Sequence, residues 1–238
     1  ALVAVPASVV VADSAFAADV TLSFEINNEF VGGNAVDVEA VKEADLNNTL
    51  KNVIVTGMSA YKTTFDATLT KVSAAEAQAE VEKIFKDMKA NLAIGDNTML
   101  YGMFKNAKVK ATETVKDGES EVKLEFTMSY YGTGADVTAT LGKLTFETAD
   151  NTPLKKVKKV HDYIVSNSFI TESEHSPTYL ALKNTGSSHA YAMYTYMLLK
   201  KANLDVRYVY GMKNGVYRSW NIVKIENINE LEQKALNI

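Results

Sequence analysis

A hydroxyl at a helix start, one short loop away from an imidazole, is the arrangement in this 238-residue sequence that offers chemistry. Ser187 and Ser188 precede an apolar-periodic run that begins near His189, and either serine can cap that helix. A serine becomes a nucleophile only when a neighbouring base accepts its proton. The histidines are His161, His175 and His189. His189 adjoins Ser188, but consecutive helical residues point about 100° apart, so the two do not face each other. His175 lies in the preceding loop and can swing toward Ser188. His161 belongs to an earlier helix and is expected to hydrogen-bond within the core. No two histidines stand at ligand spacing, with each other or with a run of acids, and cysteine is absent. Neither a metal site nor a cofactor site is therefore expected. The pair Gly132-x-Gly134 reads as a turn and not as a cradle for phosphate.

The elements that must hold these residues are legible around them. Ala190, Met193, Tyr194, Met197 and Leu198 recur at helical spacing, which predicts an amphipathic helix over about 189–202. Leu204 to Tyr210 alternates as a strand, and Asn214-Gly215 is the dipeptide preferred by a two-residue hairpin turn, because both central residues need positive φ. Val216 to Ile225 is then the returning strand. Before the site, Thr152-Pro153 opens a helix with a capping hydroxyl and a proline at its first position. Its expected buried stripe is Leu154, Val157, Val160, Ile164 and Val165.

Three segments in this order resemble the bacterial transglutaminase-like domains of the papain-like cysteine protease superfamily. Val160-His161-Asp162-Tyr163-Ile164 is similar to the helix that precedes the family's site. Ser188-His189-Ala190-Tyr191-Ala192 stands where the family has its Cys-x-Gly-Tyr-Ala nucleophile run, and Arg218-Ser219-Trp220-Asn221 where it has His-Ala-Trp-Asn. The resemblance implies an α+β fold, with a transglutaminase-like core of one helix packed on an antiparallel sheet, preceded by a β-rich N-terminal module. It also implies that the positions matching the family site are Ser188 and Arg218. A groove there would be lined by Ser188, His189, Tyr191, Arg218, Trp220 and Asn221. The same comparison removes the activity. A thiolate works beside an imidazole that shuttles its proton, whereas here a hydroxyl faces a guanidinium that keeps its proton in proteins. The family's third residue is an acid some way after Asn221, and here no Asp follows Asp205. Glu226, Glu230 and Glu232 fall in a segment that reads as helical. The expectation is a pseudoenzyme with no catalytic residues.

Net charge and the N-terminus bound compartment and partners. The 25 basic and 29 acidic residues give −4, so nothing suggests a nucleic-acid partner and none is expected. The absence of cysteine excludes disulfides and thiolate sites. Lys155, Lys156, Lys158 and Lys159 form either a solvated helix face or a docking point for an anionic cell-wall polymer. Ala1 to Val11, followed by Ala15-Phe16-Ala17, has the apolar core and small-residue cleavage site of a secretory leader. Its β-branched residues equally suit a strand-forming arm that adds to a sheet in the same chain or in a second subunit. Pro6, Ser8, Asp13 and Ser14 keep it too interrupted to span a membrane.

The rest of the chain divides into 1–17 (leader or arm), 18–72 (β-rich module), 73–150 (helix plus hairpin) and 151–238 (the degenerate domain). Val20–Ile26, Val53–Val55 and Lys62–Lys71 read as strands, with a turn at Gly32-Gly33 and an ambiguous stretch over 36–50. Ser73-Ala74-Ala75-Glu76 is a capping box that opens a helix buried along Ala77, Val81, Ile84, Phe85 and Met88. A strand pair turned at Asp117-Gly118 follows. The functional expectation is a non-catalytic exported or cell-surface protein, structural or binding in role. Its partner would be its own subunits through the arm, a cell-wall polymer or a peptide. The alternative is a hydrolase or acyltransferase that uses Ser188 with an unorthodox base such as His175.

Overall fold

A computed structural model describes residues 19–28, 45–116, 118–147, 152–166, 169–171 and 174–225. The expectations for 1–17, Gly32-Gly33 and Glu226–Glu232 lie outside these. The chain divides after Tyr130 into two compact units, mixed in helix and strand.

The first unit is built on a four-stranded antiparallel sheet, in the order β1 (Val20–Asn27), β3 (Phe104–Lys116), β4 (Glu119–Tyr130), β2 (Thr64–Thr70). Alternation splits the sheet into two faces. Ala107, Val109, Ala111, Val122, Leu124 and Phe126 are buried, while Lys110, Lys123 and Glu125 on the opposite face form exposed ion pairs. The helices α1 (Asp45–Ser59), α2 (Ala74–Ala90) and α3 (Asn97–Met103) complete the unit. The capping box forms as expected. Ser73 caps α2 and, through its backbone N–H and its hydroxyl, holds the Glu76 carboxyl below the usual range. The five residues expected on the buried face of α2 are all buried.

Two expectations change in this unit. Val53–Val55 is helical, within α1, although its β-branched residues favour a strand. What decides is the spacing of the buried Leu50, Ile54 and Met58, four apart along one helix face. Segments 18–72 and 73–150 are also not separate modules, because β1 and β2 flank β3 and β4 in one sheet, and the boundary falls at 130 and not 150. Two backbone details matter later. Gly57 faces the Phe65 ring so closely that a Cβ there would lie 2.5 Å from it. Tyr61 takes φ +51° immediately after α1, where its N–H bonds Met58 O and the next N–H bonds Gly57 O. This is the Schellman ending, in a position usually given to glycine.

The second unit is organised round α7 (Ser188–Lys201). Around it stand α4 (Gly134–Gly142), α5 (Pro153–Ser166), α6 (Pro177–Lys183) and the hairpin of β7 (Val206–Lys213) and β8 (Val216–Val223). A short parallel pair joins β5 (Phe169–Ile170) to β6 (Thr185–Gly186). The expected amphipathic helix is in fact buried nearly all round, since neighbours pack on most of its sides. Lys201 donates to Leu141 O and Leu144 O, and Lys156 donates to Ala202 O, closing free carbonyls at two helix ends. In α5, Val160 and Ile164 are buried, but Val165 is 62% exposed, one step beyond the buried stripe.

Candidate functional site

Asn214 and Gly215 both have positive φ (+54° and +76°), as the predicted hairpin turn requires, and the turn fixes the register of β7 on β8. Tyr208 then stands across from Asn221, Tyr210 from Ser219, Val209 from Trp220 and Gly211 from Arg218. Residues paired across antiparallel strands share a face, and the faces alternate along each strand. Two bonds identify the face toward α7. Tyr208 OH donates to Ser219 Oγ at 2.6 Å, and Asn221 Nδ2 donates to Ala192 O at 2.9 Å.

Arg218, Trp220 and Ile222 consequently lie on the face turned away from the helix. Trp220 is 45% exposed and covers Gly211, where a Cβ would come within 3.2 Å of its ring. The expected meeting of Ser188 with Arg218 and Trp220 therefore runs against the strand's alternation. Ser219 is the residue of that run that reaches the helix side.

A one-residue offset also appears at the helix start. Ser187, not Ser188, is the N-cap, its hydroxyl accepting from Ala190 N–H. The same hydroxyl shares a 2.8 Å hydrogen bond with His175 Nδ1, so the loop histidine turns to Ser187. Ser187 is 5% exposed and its N–H bonds Glu174 O. Ser188 is the first residue of α7 and half-buried, as is Tyr191 one turn on.

His189 is the most enclosed polar residue of the group, 2% exposed, with Nδ1 at 2.8 Å from Tyr208 OH. Because Tyr208 spends its own proton on Ser219, it accepts from His189, which fixes the imidazole tautomer with hydrogen on Nδ1. Burial raises the Tyr208 phenol well above the usual range. Tyr131 packs against the His189 ring with centroids 5.6 Å apart. Its phenol is pushed up to about 12, chiefly by burial and then by the nearby Glu174 charge. The chain His189–Tyr208–Ser219 was not anticipated. The hairpin register was available to find it, since it places Tyr208 and Ser219 on the same face.

His161 is not in the core. Its side chain is 68% exposed and its Nδ1 lies 3.2 Å from Asp162, which also pairs with Lys158. Position Asp162 on the outward face of α5 explains this, and the lysine followed by the histidine hold its carboxyl below the usual range. Of the lysine cluster, Lys156 and Lys158 are bonded as described and Lys159 lies 6.0 Å over the Phe146 ring. Among the described residues no group of three or more His, Cys, Asp or Glu could hold a metal ion, and no helix is long and apolar enough to cross a membrane.

No family model and no curated protein matches this chain. Among solved structures, a Parabacteroides distasonis protein presented as a candidate protease is similar in part, at 13% identity and a TM-score of 0.22. The match covers 42% of this chain and 28% of that one. A likeness of that size carries no argument about fold or chemistry.

Proposed function

We propose that the chain is a non-catalytic exported or cell-surface module, structural or binding in role, whose second unit is a transglutaminase-like domain with packing in place of chemistry. The observation that carries this reading is how the polar groups at the start of α7 are used. Ser187 Oγ caps the helix and holds His175, and His189 is spent on Tyr208, so the buried hydroxyls and imidazoles satisfy one another. Such groups are costly to bury unpaired, and pairing them is what a core requires. Ser188 gains no base from this arrangement, because the nearest loop histidine is bonded to its neighbour. Export rests on the leader-like composition of residues 1–17.

A second reading has one observation in its favour. His175 Nδ1 and Ser187 Oγ are at the distance of a nucleophile and its general base. Against it, Ser187 is 5% exposed and its hydroxyl is already committed to the helix cap. A fluorophosphonate probe separates the two. The non-catalytic reading expects no labelling above that of a Ser187→Ala/Ser188→Ala double variant. Labelling that one of the single alanine variants abolishes would overturn it in favour of a serine hydrolase. Export is checked apart from this, by fractionating cells that make the chain with its own first 17 residues; retention in the cytosol would refute it.

A further inference from the structure

The first unit contains a cavity of about 160 Å³ that no part of the reading above uses. Its apolar side is made by Met58, Leu100 and Met103, all at most 8% exposed, with Met99 one turn before Met103 on the same face of α3. Tyr61 and Tyr130 form a wall, edge to face with centroids 5.4 Å apart. Asp96 is its charged member, exposed at the start of α3. Among the described residues the Asp96 carboxylate makes neither a capping bond nor an ion pair. Tyr61 reaches its place only by holding a left-handed backbone, where an aromatic residue is strained. Strain of this kind persists where the surroundings demand it, at ligand clamps among other places.

We propose that this cavity is a binding site for a small organic ammonium ion with an apolar body. The size fits, since a cavity of about 150 Å³ takes one benzene-sized group. The lining fits as well: polarizable thioethers and tyrosine rings accept an apolar body. A cation gains further from an aromatic face and a carboxylate without another partner. A bare metal ion suits the cavity less, because it needs ligands at about 2–2.6 Å on several sides and leaves most of this volume unfilled.

The test uses the full chain, labelled with ¹³C at the methionine methyls, titrated with benzylammonium and with its neutral counterpart benzyl alcohol at low salt. Benzylammonium is expected to bind about five-fold more tightly than the alcohol, the worth of one partly exposed charge contact. Among the eight methionines, only Met58, Met99 and Met103 should shift. Asp96→Asn should remove most of that preference, leaving only the part the tyrosine faces supply, and leave the melting curve in place, since Asp96 is exposed and unpaired. Equal affinity for the two probes, shifts at other methionines, or benzylammonium binding unchanged in Asp96→Asn would each overturn the proposal.

Discussion

Replacing Tyr208 by phenylalanine removes one oxygen from the centre of the second unit and tests whether the polar groups there serve packing. The ring keeps its place, so the change is confined to hydrogen bonds. His189 loses the acceptor of its Nδ1–H while remaining 2% exposed, and no water reaches it easily. Leaving one buried donor unsatisfied costs about 1–3 kcal/mol. Ser219 is only half-buried and can turn to solvent, so its lost bond adds little. The expected loss is about 2 kcal/mol. With a urea dependence of about 2 kcal/mol per M for a protein of this size, the unfolding midpoint falls by about 1 M. The single tryptophan, Trp220, lies on β8 of the same hairpin and reports that unit's unfolding by its fluorescence. A double variant sharpens the point, because His189→Leu with Tyr208→Phe removes both members of that hydrogen bond together. Its loss should be smaller than the sum of the single losses by at least about 1 kcal/mol. A histidine retained in an open, wet site would instead be cheap to strip of one partner. If Tyr208→Phe stays within about 0.5 kcal/mol of the native chain, or the two changes simply add, the packing account is wrong.

Gly57→Ala should destabilise by about 1–3 kcal/mol in chemical denaturation, because its Cβ meets the Phe65 ring at 2.5 Å, although helix propensity alone favours alanine. At position 61 the order of the same two residues inverts: Tyr61→Gly should be more stable than Tyr61→Ala by about 1 kcal/mol, since only the left-handed backbone distinguishes them, and an alanine variant of equal or greater stability would refute the strain. Burial raises the phenols of Tyr61, Tyr130, Tyr131, Tyr194 and Tyr208, so stability is complete below pH 10 and is lost as pH rises through 10 toward 12 and above. Absorbance at 295 nm should show these five phenols still protonated above pH 10 while the chain stays folded, and their ionisation at pH 10 in a folded chain would contradict this. Deleting residues 1–17 should lower the unfolding midpoint if the segment pairs within the chain, or remove oligomers seen by light scattering if it pairs between chains; no change in either leaves it a leader only.

The sequence showed most where a local rule and burial agree. The Ser73–Glu76 box, the alternation of Val20–Ile26 and the Asn214-Gly215 turn each need only neighbouring residues to take effect, and each appears in its expected place. Val53–Val55 went the other way because burial of Leu50, Ile54 and Met58 outweighs the strand preference of three residues. The short helices α3, α4 and α6 span at most nine residues, too few for a hydrophobic period to stand out. At the site the positions were readable to within one residue and no better. Composition around 187–188 does not say which serine is the cap, and that single step decides which hydroxyl the loop histidine meets. The strand poses the same difficulty, since one residue along β8 separates Arg218, facing away from α7, from Ser219, facing it.

The order of the first unit's sheet sets a timetable for a chain made from one end. β1 and β2, synthesised first, occupy the two edges, and the hairpin β3–β4 that they flank is synthesised last. Val20 has no partner until Glu113 exists, which at roughly 5–20 residues per second is a wait on the order of 5–20 s. Until then the early strands have only one another, and in the finished sheet they never touch. A ribosome-bound fragment ending before residue 104 therefore lacks the centre on which its strands assemble, and this half of the molecule closes from its last-made strands outward. The unit therefore gains its sheet only once β4 has been made through Tyr130, whatever its early helices do before then.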